Sequence, residues 1–528
     1  ARNLPPDGDE DLADLVDLAG AGVGLGDPAV EHTTLAVIAD PDARPAAPGG
    51  KPGGASPAGE PAPEDGPGIS IGLLRAFDPA AVAESERVWA PSRVRAVYLV
   101  ALAVVGVPLY LGTSDLWRHS RPGHGIADAV VSGSSYVWLL LAVPVLLNVL
   151  GILGFRRGST NAYEHAPITS SVSFRIVTRG TNVEAVLKTI EAVRVQMARF
   201  PLFPHLIEVV TDNDLPIAPA QDLVQIRVPD DYATPGGARF KARALHFALQ
   251  ASAVSETTWL FHLDEETHIT PSVIRGIRTA IIEEEATGQC RIGQGVVLYH
   301  RDLREHPVLT LADSVRTGDD LGRFRFQHLV GQTMFGMHGS FILVRNDVER
   351  HVGFDLGPAG SITEDAWWSL VEMGSGRRSR WVDGYCLEQS TRSFTDFIRQ
   401  RRRWFVGLTL VSFRAPALRW HRLSLVTSIV LWGVSWLGWW AVSVAMFVTG
   451  ARIPLGVFVV GVFSLAAYVA VYLVGLELNL SHRGLRWYRR LPWYVAQIVL
   501  MPLFSFMESA AVIYGLVRPE RGFHVVKK

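Results

Sequence analysis

Cysteine is nearly absent: the 528 residues include only Cys290 and Cys386. Two thiols cannot build a disulfide framework or a Cys-rich metal site, and their scarcity fits a reducing compartment. Charge of one sign is missing as well. Lys and Arg total 50 against 51 Asp and Glu, a formal net charge of −1, so no basic excess points to nucleic acid. No H-x-x-x-H or H-E-x-x-H spacing occurs, which leaves a histidine-ligated hydrolase without support. No internal repeat stands out. Residues 1–85 are poor in aromatics and rich in Pro, Gly, Ala and Asp, as in "DPDARPAAPGGKPGGASPAGEPAPEDGPG". Such a stretch cannot bury enough apolar surface to offset its ordering entropy, and it is expected to be a disordered cytoplasmic tail.

Hydrophobic residues make up 48% of the chain and are concentrated in blocks. A bilayer core takes roughly 20 apolar residues of helix. Val94–Leu111, Tyr136–Phe155, Leu423–Val448 and Ile453–Leu476 meet that need, giving two expected spans in 94–155 and two in 423–476. Arginines collect on one side of all four. Arg93 and Arg95 precede the first span, and Arg156 and Arg157 follow the second. Arg399, Arg401, Arg402, Arg403, Arg414, Arg419 and Arg422 precede the third. Arg483, Arg486, Arg489 and Arg490 follow the fourth. That side is expected to be the cytoplasm, with Arg118 and Arg121 as the exceptions outside. Trp493–Val517 carries Gln497, Pro502 and Glu508, so 491–517 is expected to be an interfacial or re-entrant helix. The Ala-, Gly-, Arg- and Pro-rich composition gives a bacterial plasma membrane as the expected location.

Residues 156–398 form one large polar domain between the spans. "SFRIVTRG" reads as a strand, "TNVEAVLKTIEAVRVQMARF" as an amphipathic helix, and "HLIEVVTDND" as a second strand. "FKARALHFALQAS" then reads as a helix and "TTWLFHLDEE" as a third strand. Alternating strands and helices imply an α/β fold with a parallel sheet, whose ligands bind beyond the strands' C-terminal ends. All three strands end there in polar residues: Thr178 and Arg179, then Asp212, Asn213 and Asp214, then Asp264, Glu265 and Glu266.

Carboxylates two residues apart can reach one divalent cation while the side chain between them points away. Asp264 and Glu266 fit that role, and their hard oxygens suit Mg²⁺ or Mn²⁺ bridged to phosphate. A solvated acidic loop would look the same in isolation. "GSITEDAWWSL" puts Asp365 just before an apolar run, where it is either a general base or part of a helix N-cap. "DFIRQRRRWFVG" puts Gln400, Arg403 and Trp404 ahead of the third span. Segment 399–422 reads either as lipid-headgroup contact or as an Arg facing a diphosphate beside a Trp facing a sugar.

These three motifs, D-x-D/E, T-E-D and Q-x-x-R-W, stand in order between membrane segments, and they resemble the membrane-embedded family 2 glycosyltransferases. That group includes the cellulose, chitin and hyaluronan synthases. "FRIVTRG", "HLDEET" and "ITEDAWW" look most like the Egghead-type β-1,4-mannosyltransferases, which use GDP-mannose and a glycolipid acceptor. The resemblance runs from about Val94 to the C-terminus and implies a GT-A catalytic domain.

It also implies roles. Thr178, Arg179, Asp212 and Lys241 would border the nucleotide sugar, and Asp264 and Glu266 would hold the metal on its diphosphate. His338, Gly339 and Ser340 in "GMHGSF", with Glu364, would form the acceptor site, and Asp365 would be the base. Gln400, Arg403 and Trp404 would hold pyrophosphate and acceptor. The tail 518–528 resembles the family's gating segment F-x-V-T-x-K through Phe523, Val525 and Lys528, with Val526 in place of its Thr. D-E-E replaces the D-x-D of many relatives, and Glu can still bind metal. The expected activity is inverting transfer of a hexose from GDP-mannose or a UDP-sugar to a lipid-linked or polysaccharide acceptor. The expected partners are therefore the sugar nucleotide, that acceptor and the bilayer. A processive, polymer-exporting synthase and a transporter without glycosyl transfer are the alternatives.

Overall fold

The computed structural model describes residues 91–120, 125–154, 167–299, 303–482 and 485–519. The expected tail 1–85 and the gating-like residues Phe523, Val525 and Lys528 lie outside the described residues. Helices α1 (Pro91–His119), α2 (Ile126–Ser134) and α3 (Val137–Leu153) come first. The α/β domain then runs β1 (Val172–Thr178), α4 (Val183–Arg199), β2 (His205–Thr211), β3 (Leu223–Arg227), α5 (Phe240–Ala251), β4 (Trp259–Asp264) and α6 (Pro271–Thr287). It continues with β5 (Ile292–Tyr299), α7 (Pro307–Asp319), a kinked turn at 320–324, α8 (Arg325–Leu329), β6 (Ile342–Arg345) and α9 (Asn346–Val352). Short α10 (Gly357–Gly360), α11 (Glu364–Gly374) and β7 (Ser379–Glu388) complete it. Four long helices follow: α12 (Phe394–Arg414), α13 (Arg419–Thr449), α14 (Leu455–His482) and α15 (Trp487–Val517).

The seven strands form one sheet in the order β3-β2-β1-β4-β6-β5-β7. Strands β3, β2, β1 and β4 are mutually parallel; for β1, β2 and β4 their alternation with helices gives this order, whereas β3 follows β2 with no helix between them. The order reverses between β1 and β4, because the chain moves outward through β2 and β3 before returning to β4. Such a reversal leaves a crevice beyond the strands' C-terminal ends. β1 is buried along its whole length, consistent with a sheet covered on both faces.

The sheet departs from a purely parallel one at β6, which pairs antiparallel with both β4 and β5. Ile342 stands opposite His262, and Phe341 N–H donates to the His262 carbonyl at 2.9 Å. Strand β6 thus starts near the crevice end of β4 and runs back, which brings the preceding loop, His338–Ser340, to the crevice.

Among the described residues four helices are long and apolar enough to cross a membrane: Pro91–His119, Asp128–Leu153, Leu455–His482 and Tyr488–Val517. The first contains the expected span Val94–Leu111, and the second and third overlap the expected Tyr136–Phe155 and Ile453–Leu476. The fourth contains the segment expected to be interfacial or re-entrant. It belongs to one continuous helix of 31 residues despite Pro492 and Pro502, so it does not turn back on itself as a re-entrant hairpin would. The expected span Leu423–Val448 lies inside α13, where the side chains of residues 434–440 lie outside the described residues.

A buried ionic network ties the sheet together. Arg175 on β1 is fully buried and pairs with Glu208 of β2 at 2.9 Å and Glu349 of α9 at 2.8 Å. His262 of β4 reaches Glu349 at 2.6 Å. Removing one partner from a buried pair leaves an uncompensated charge and costs about 3–5 kcal/mol. Arg175→Met should therefore lower the melting temperature of the detergent-solubilised protein far more than Arg227→Ala. Arg227 pairs with Asp214 at the surface, and its loss should stay within about 0.5 kcal/mol. Equal losses in the two variants would refute the structural weight given to Arg175.

Candidate active site

The ends of β1, β2 and β4 open into a cavity of about 810 Å³. Thr178 and Arg179, at the end of β1, line it, as does Asp212 just past β2. Gly180 makes the turn that leaves β1, packed against the end of β2. Its φ is 75°, and an added Cβ would lie 2.7 Å from Thr211 Oγ1. Asp212 takes Arg243 Nη2–H at 2.6 Å, which fixes a guanidinium at the rim.

Strand β4 delivers Asp264, Glu265 and Glu266 to the same cavity. The middle residue is committed elsewhere, because Glu265 accepts the Thr178 hydroxyl proton and its carbonyl takes Thr189 Oγ1–H at 2.7 Å. Asp264 and Glu266 are the other two hard-oxygen groups of this turn. No group of three His, Cys, Asp or Glu among the described residues is placed to hold a metal by itself. Asp264 and Glu266 are the residues here that could hold a Mg²⁺ or Mn²⁺ ion, which beside nucleotides takes further ligands from phosphate and water.

Lys241, at the start of α5, is the cation at the centre. Its Nζ lies 2.5 Å from Asp264 Oδ1 and 3.8 Å from Glu364 Oε1, and it donates to the Gly339 carbonyl at 3.4 Å. Burial opposes its charge, but Asp264, Glu364 and Asp365 together hold the ammonium well above the usual lysine range. Glu364 and Asp365 open α11. Burial and then the Asp365 charge push Glu364 up to about 7, although Lys241 pulls the other way. Burial raises Asp365 as well, against Lys241 and the Ala366 N–H that its Oδ1 accepts at 2.8 Å. The N-cap position falls on Thr363, whose side chain makes no capping bond, so Asp365 is a first-turn acid and not the cap.

His338, Gly339 and Ser340 border the same space. A Cβ on Gly339 would lie 2.9 Å from Lys241 Nζ, 3.2 Å from Asp365 Oδ2 and 3.8 Å from Asp264 Oδ1. His338 Nε2 is 2.6 Å from Asp320 Oδ1; burial works against its charge, but Asp320 holds the imidazole above its ordinary range. Ser340 donates to Glu388, which also accepts from Tyr299 at 3.1 Å. Phe240 and Phe341, adjacent to Lys241 and Ser340, have φ of 54° and 59°. Bulky residues there carry strain of about 1–3 kcal/mol each, as is common at functional sites.

Gln400, Arg403 and Trp404 reach the cavity from α12. Gln400 Oε1 accepts Arg401 Nη1–H at 2.9 Å, and the Arg403 charge acts on Glu364. The guanidiniums of Arg401 and Arg316 stand over the Trp404 ring, at 4.3 and 4.5 Å from the centroid. Its π face is engaged with cations.

Every expected site residue except Lys528, which lies outside the described residues, lines this one cavity. Sequence reasoning missed Arg243, Arg316, Asp320, Glu388, Arg401 and Glu508. Arg316, Asp320 and Arg323, four and three residues apart and so on one side of a helix, were the available signal.

Residues 259–517 match the family model described as Glycosyl transferase family group 2. The β-1,4-mannosyltransferase bre-3 of Caenorhabditis briggsae is 31% identical over 433 residues, which cover 78% of this chain and 93% of the relative. The β-1,4-mannosyltransferase egh of Drosophila melanogaster is 30% identical over 400 residues, covering 74% and 86% respectively. A solved structure, mannosyltransferase PcManGT from Pyrobaculum calidifontis in complex with GDP-Man and Mn²⁺, aligns with 75% of this chain and 100% of its own. Its identity is 13% and its TM-score 0.43, too loose to transfer any detail. The two relatives are eukaryotic, so they lend no support to a bacterial plasma membrane.

The raised Glu364 gives a signed pH effect. The folded state keeps that proton up to about pH 7, whereas the unfolded chain loses it in the ordinary glutamate range. Stability therefore falls as pH rises between those values. Glu364→Gln should melt higher than wild type at about pH 8, with the gap narrowing at about pH 4. A gap independent of pH would contradict the assignment.

Proposed function

The chain belongs to glycosyl transferase family group 2, and from that membership we propose that it transfers mannose from a nucleoside-diphosphate donor, GDP-mannose by family resemblance, to a membrane-associated acceptor. Transfer occurs at the cytoplasmic face, the side to which the arginine clusters assign the domain. The observation that carries the reading is the convergence on Gly339. Lys241, Asp264 and Asp365 all lie within 3.8 Å of the point where a side chain would start there. Glycine at that position leaves room for a reacting hydroxyl.

The acceptor hydroxyl lies against Asp365. Its oxygen bonds to the anomeric carbon of the donor while its proton passes to the Asp365 carboxylate. The bond from that carbon to the phosphate oxygen breaks, and its electron pair leaves with the nucleoside diphosphate. Attack from the face opposite the leaving group inverts the centre, so an α-linked donor gives a β-glycoside. Lys241, Arg403 and the rim guanidinium of Arg243 supply fixed positive charge toward the diphosphate. Mg²⁺ or Mn²⁺, held by Asp264 and Glu266, would add a further positive charge there. His338, oriented by Asp320, borders the acceptor.

A test follows directly. Nucleoside diphosphate release is measured with GDP-mannose, UDP-glucose, UDP-N-acetylglucosamine and UDP-glucuronate, using native lipid extract as acceptor. Release with GDP-mannose alone is expected. Asp365→Asn should lower it by about a thousandfold while nucleotide binding survives. The acid limb of kcat/KM should lie above the ordinary aspartate range, because burial raises Asp365. Appreciable transfer by Asp365→Asn would remove that residue as the base.

A further inference from the structure

Arg316 of α7 lines the cavity together with His338, Ser340 and Trp404. Its guanidinium stands 4.5 Å from the centroid of the Tyr299 ring and 4.5 Å from that of Trp404. A guanidinium is planar and carries its N–H donors in that plane, so contact with ring faces leaves the donors at its edges unused. Among the described residues Arg316 makes no hydrogen bond and no ion pair.

The acids around it are committed to other donors. Asp313 Oδ1 takes Arg401 Nη2–H at 2.5 Å. Asp320 holds His338 through Oδ1 and accepts the Val297 N–H through Oδ2 at 3.0 Å. Glu388 accepts the Ser340 hydroxyl and, at 3.3 Å, the Thr267 hydroxyl on Oε1, and Tyr299 at 3.1 Å on Oε2. Burial opposes the Arg316 charge, yet Tyr299, Glu388, Asp313 and Asp320 hold it above arginine's ordinary range. The cation is thus offset in charge but not in hydrogen bonding. A guanidinium that only braced the fold would spend its N–H groups on the neighbouring carboxylates. An anion brought to it would also meet those three acids, whereas neutral hydroxyl oxygens accept its N–H groups without that repulsion.

We propose that Arg316 selects the acceptor: its N–H groups donate to hydroxyl oxygens of a neutral sugar whose attacking hydroxyl meets Asp365. The inference rests on the glycosyl-transfer reading and adds to it a specificity residue and an acceptor class, a neutral sugar in preference to a uronate. The place suits this role, because His338, which borders the acceptor, senses the charge of both Arg316 and Asp365. The two rings keep the guanidinium flat, so little side-chain ordering remains to be done when the sugar arrives. A sugar lacking the recognised hydroxyl leaves a shielded cation without an acceptor, and sites of that kind reject such analogues strongly.

The test uses the full-length protein in detergent with GDP-mannose and the octyl β-glycosides of glucose, mannose and N-acetylglucosamine. The glycoside that is turned over is then compared with its monodeoxy forms and its uronate. Apart from the form lacking the attacked oxygen, at least one deoxy sugar should lose about ten- to a hundredfold in kcat/KM with wild type. The uronate should be a poorer acceptor than the parent. Arg316→Met should lower kcat/KM for the parent by a similar factor and bring that deoxy ratio toward one, with GDP-mannose affinity within about twofold of wild type. Arg316→Lys keeps the charge that the carboxylates require but not the flat fork, so it should flatten the ratio as well. A wild type indifferent to every deoxy form, a ratio unchanged in either folded variant, or a uronate preferred to the parent overturns the proposal. Loss of nucleotide binding in both variants also overturns it, since Arg316 would then serve the donor or the fold. Turnover with native lipid extract but with none of the three glycosides overturns it too, while leaving the glycosyl-transfer reading intact. If no acceptor, the extract included, releases nucleoside diphosphate, that reading itself has failed, and this inference with it.

Discussion

Negative charge gathered around one ammonium is the constraint on which the centre depends. Asp264 arrives from the end of β4, and Glu364 and Asp365 from the start of α11, elements separated by about a hundred residues of chain. Like charges a few ångströms apart in a partly buried site repel by several kcal/mol at an effective dielectric of about 20. Lys241 is the group that makes this convergence tenable, at 2.5 Å from Asp264 and 3.8 Å from Glu364. Its compensation is incomplete, which is why Glu364 and Asp365 stay raised. An incompletely neutralised site suits a reaction that brings in its own charges. The ammonium can serve a diphosphate, and a raised Asp365 is a better proton acceptor than an ordinary aspartate.

Local pattern made much of this legible. The strands at 172–178, 205–211 and 259–264 and the helices between them follow from apolar runs and amphipathic periodicity, and their polar ends mark the crevice. The parallel order of β1, β2 and β4 follows from the alternation. The reversal at β6 did not follow, because it depends on how the loop at His338–Ser340 comes back from the crevice. Long-range charge pairs were equally invisible. Arg243 with Asp212, Asp320 with His338 and Ser340 with Glu388 join residues 18 to 48 positions apart. No periodicity reports such distances. Trp404 shows the converse. Its place in the cavity was readable from the Q-x-x-R-W run, but the two guanidiniums over its ring were not. One of them, Arg316, comes from α7.

Arg401 connects this chemistry to the long helices. It binds Asp313 of α7 at 2.5 Å and Glu508 of α15 at 2.9 Å, and it stacks on Phe397 and Trp404. Glu508 also takes the indole N–H of Trp432 on α13. One buried carboxylate therefore joins α12, α13 and α15, and through Arg401 it fixes the helix that carries Gln400, Arg403 and Trp404. A glutamate inside an apolar helix is costly unless paired. Its paired position beside the cavity accounts for a charge that in sequence argued only against a simple span.

The two ends of the cavity differ in the work they can do. Around Lys241, polar groups from α5, β4 and α11 face one another in a shielded space, where electrostatic effects are stronger than in water. Along α3, α13 and α14 the wall is mostly apolar, with Leu141, Leu425, Ile429 and Leu465 interrupted by Asn148, Ser428, Ser464 and Tyr468. The long helices are then more than an anchor, since side chains from α3, α13, α14 and α15 line the same space as Lys241 and Asp365.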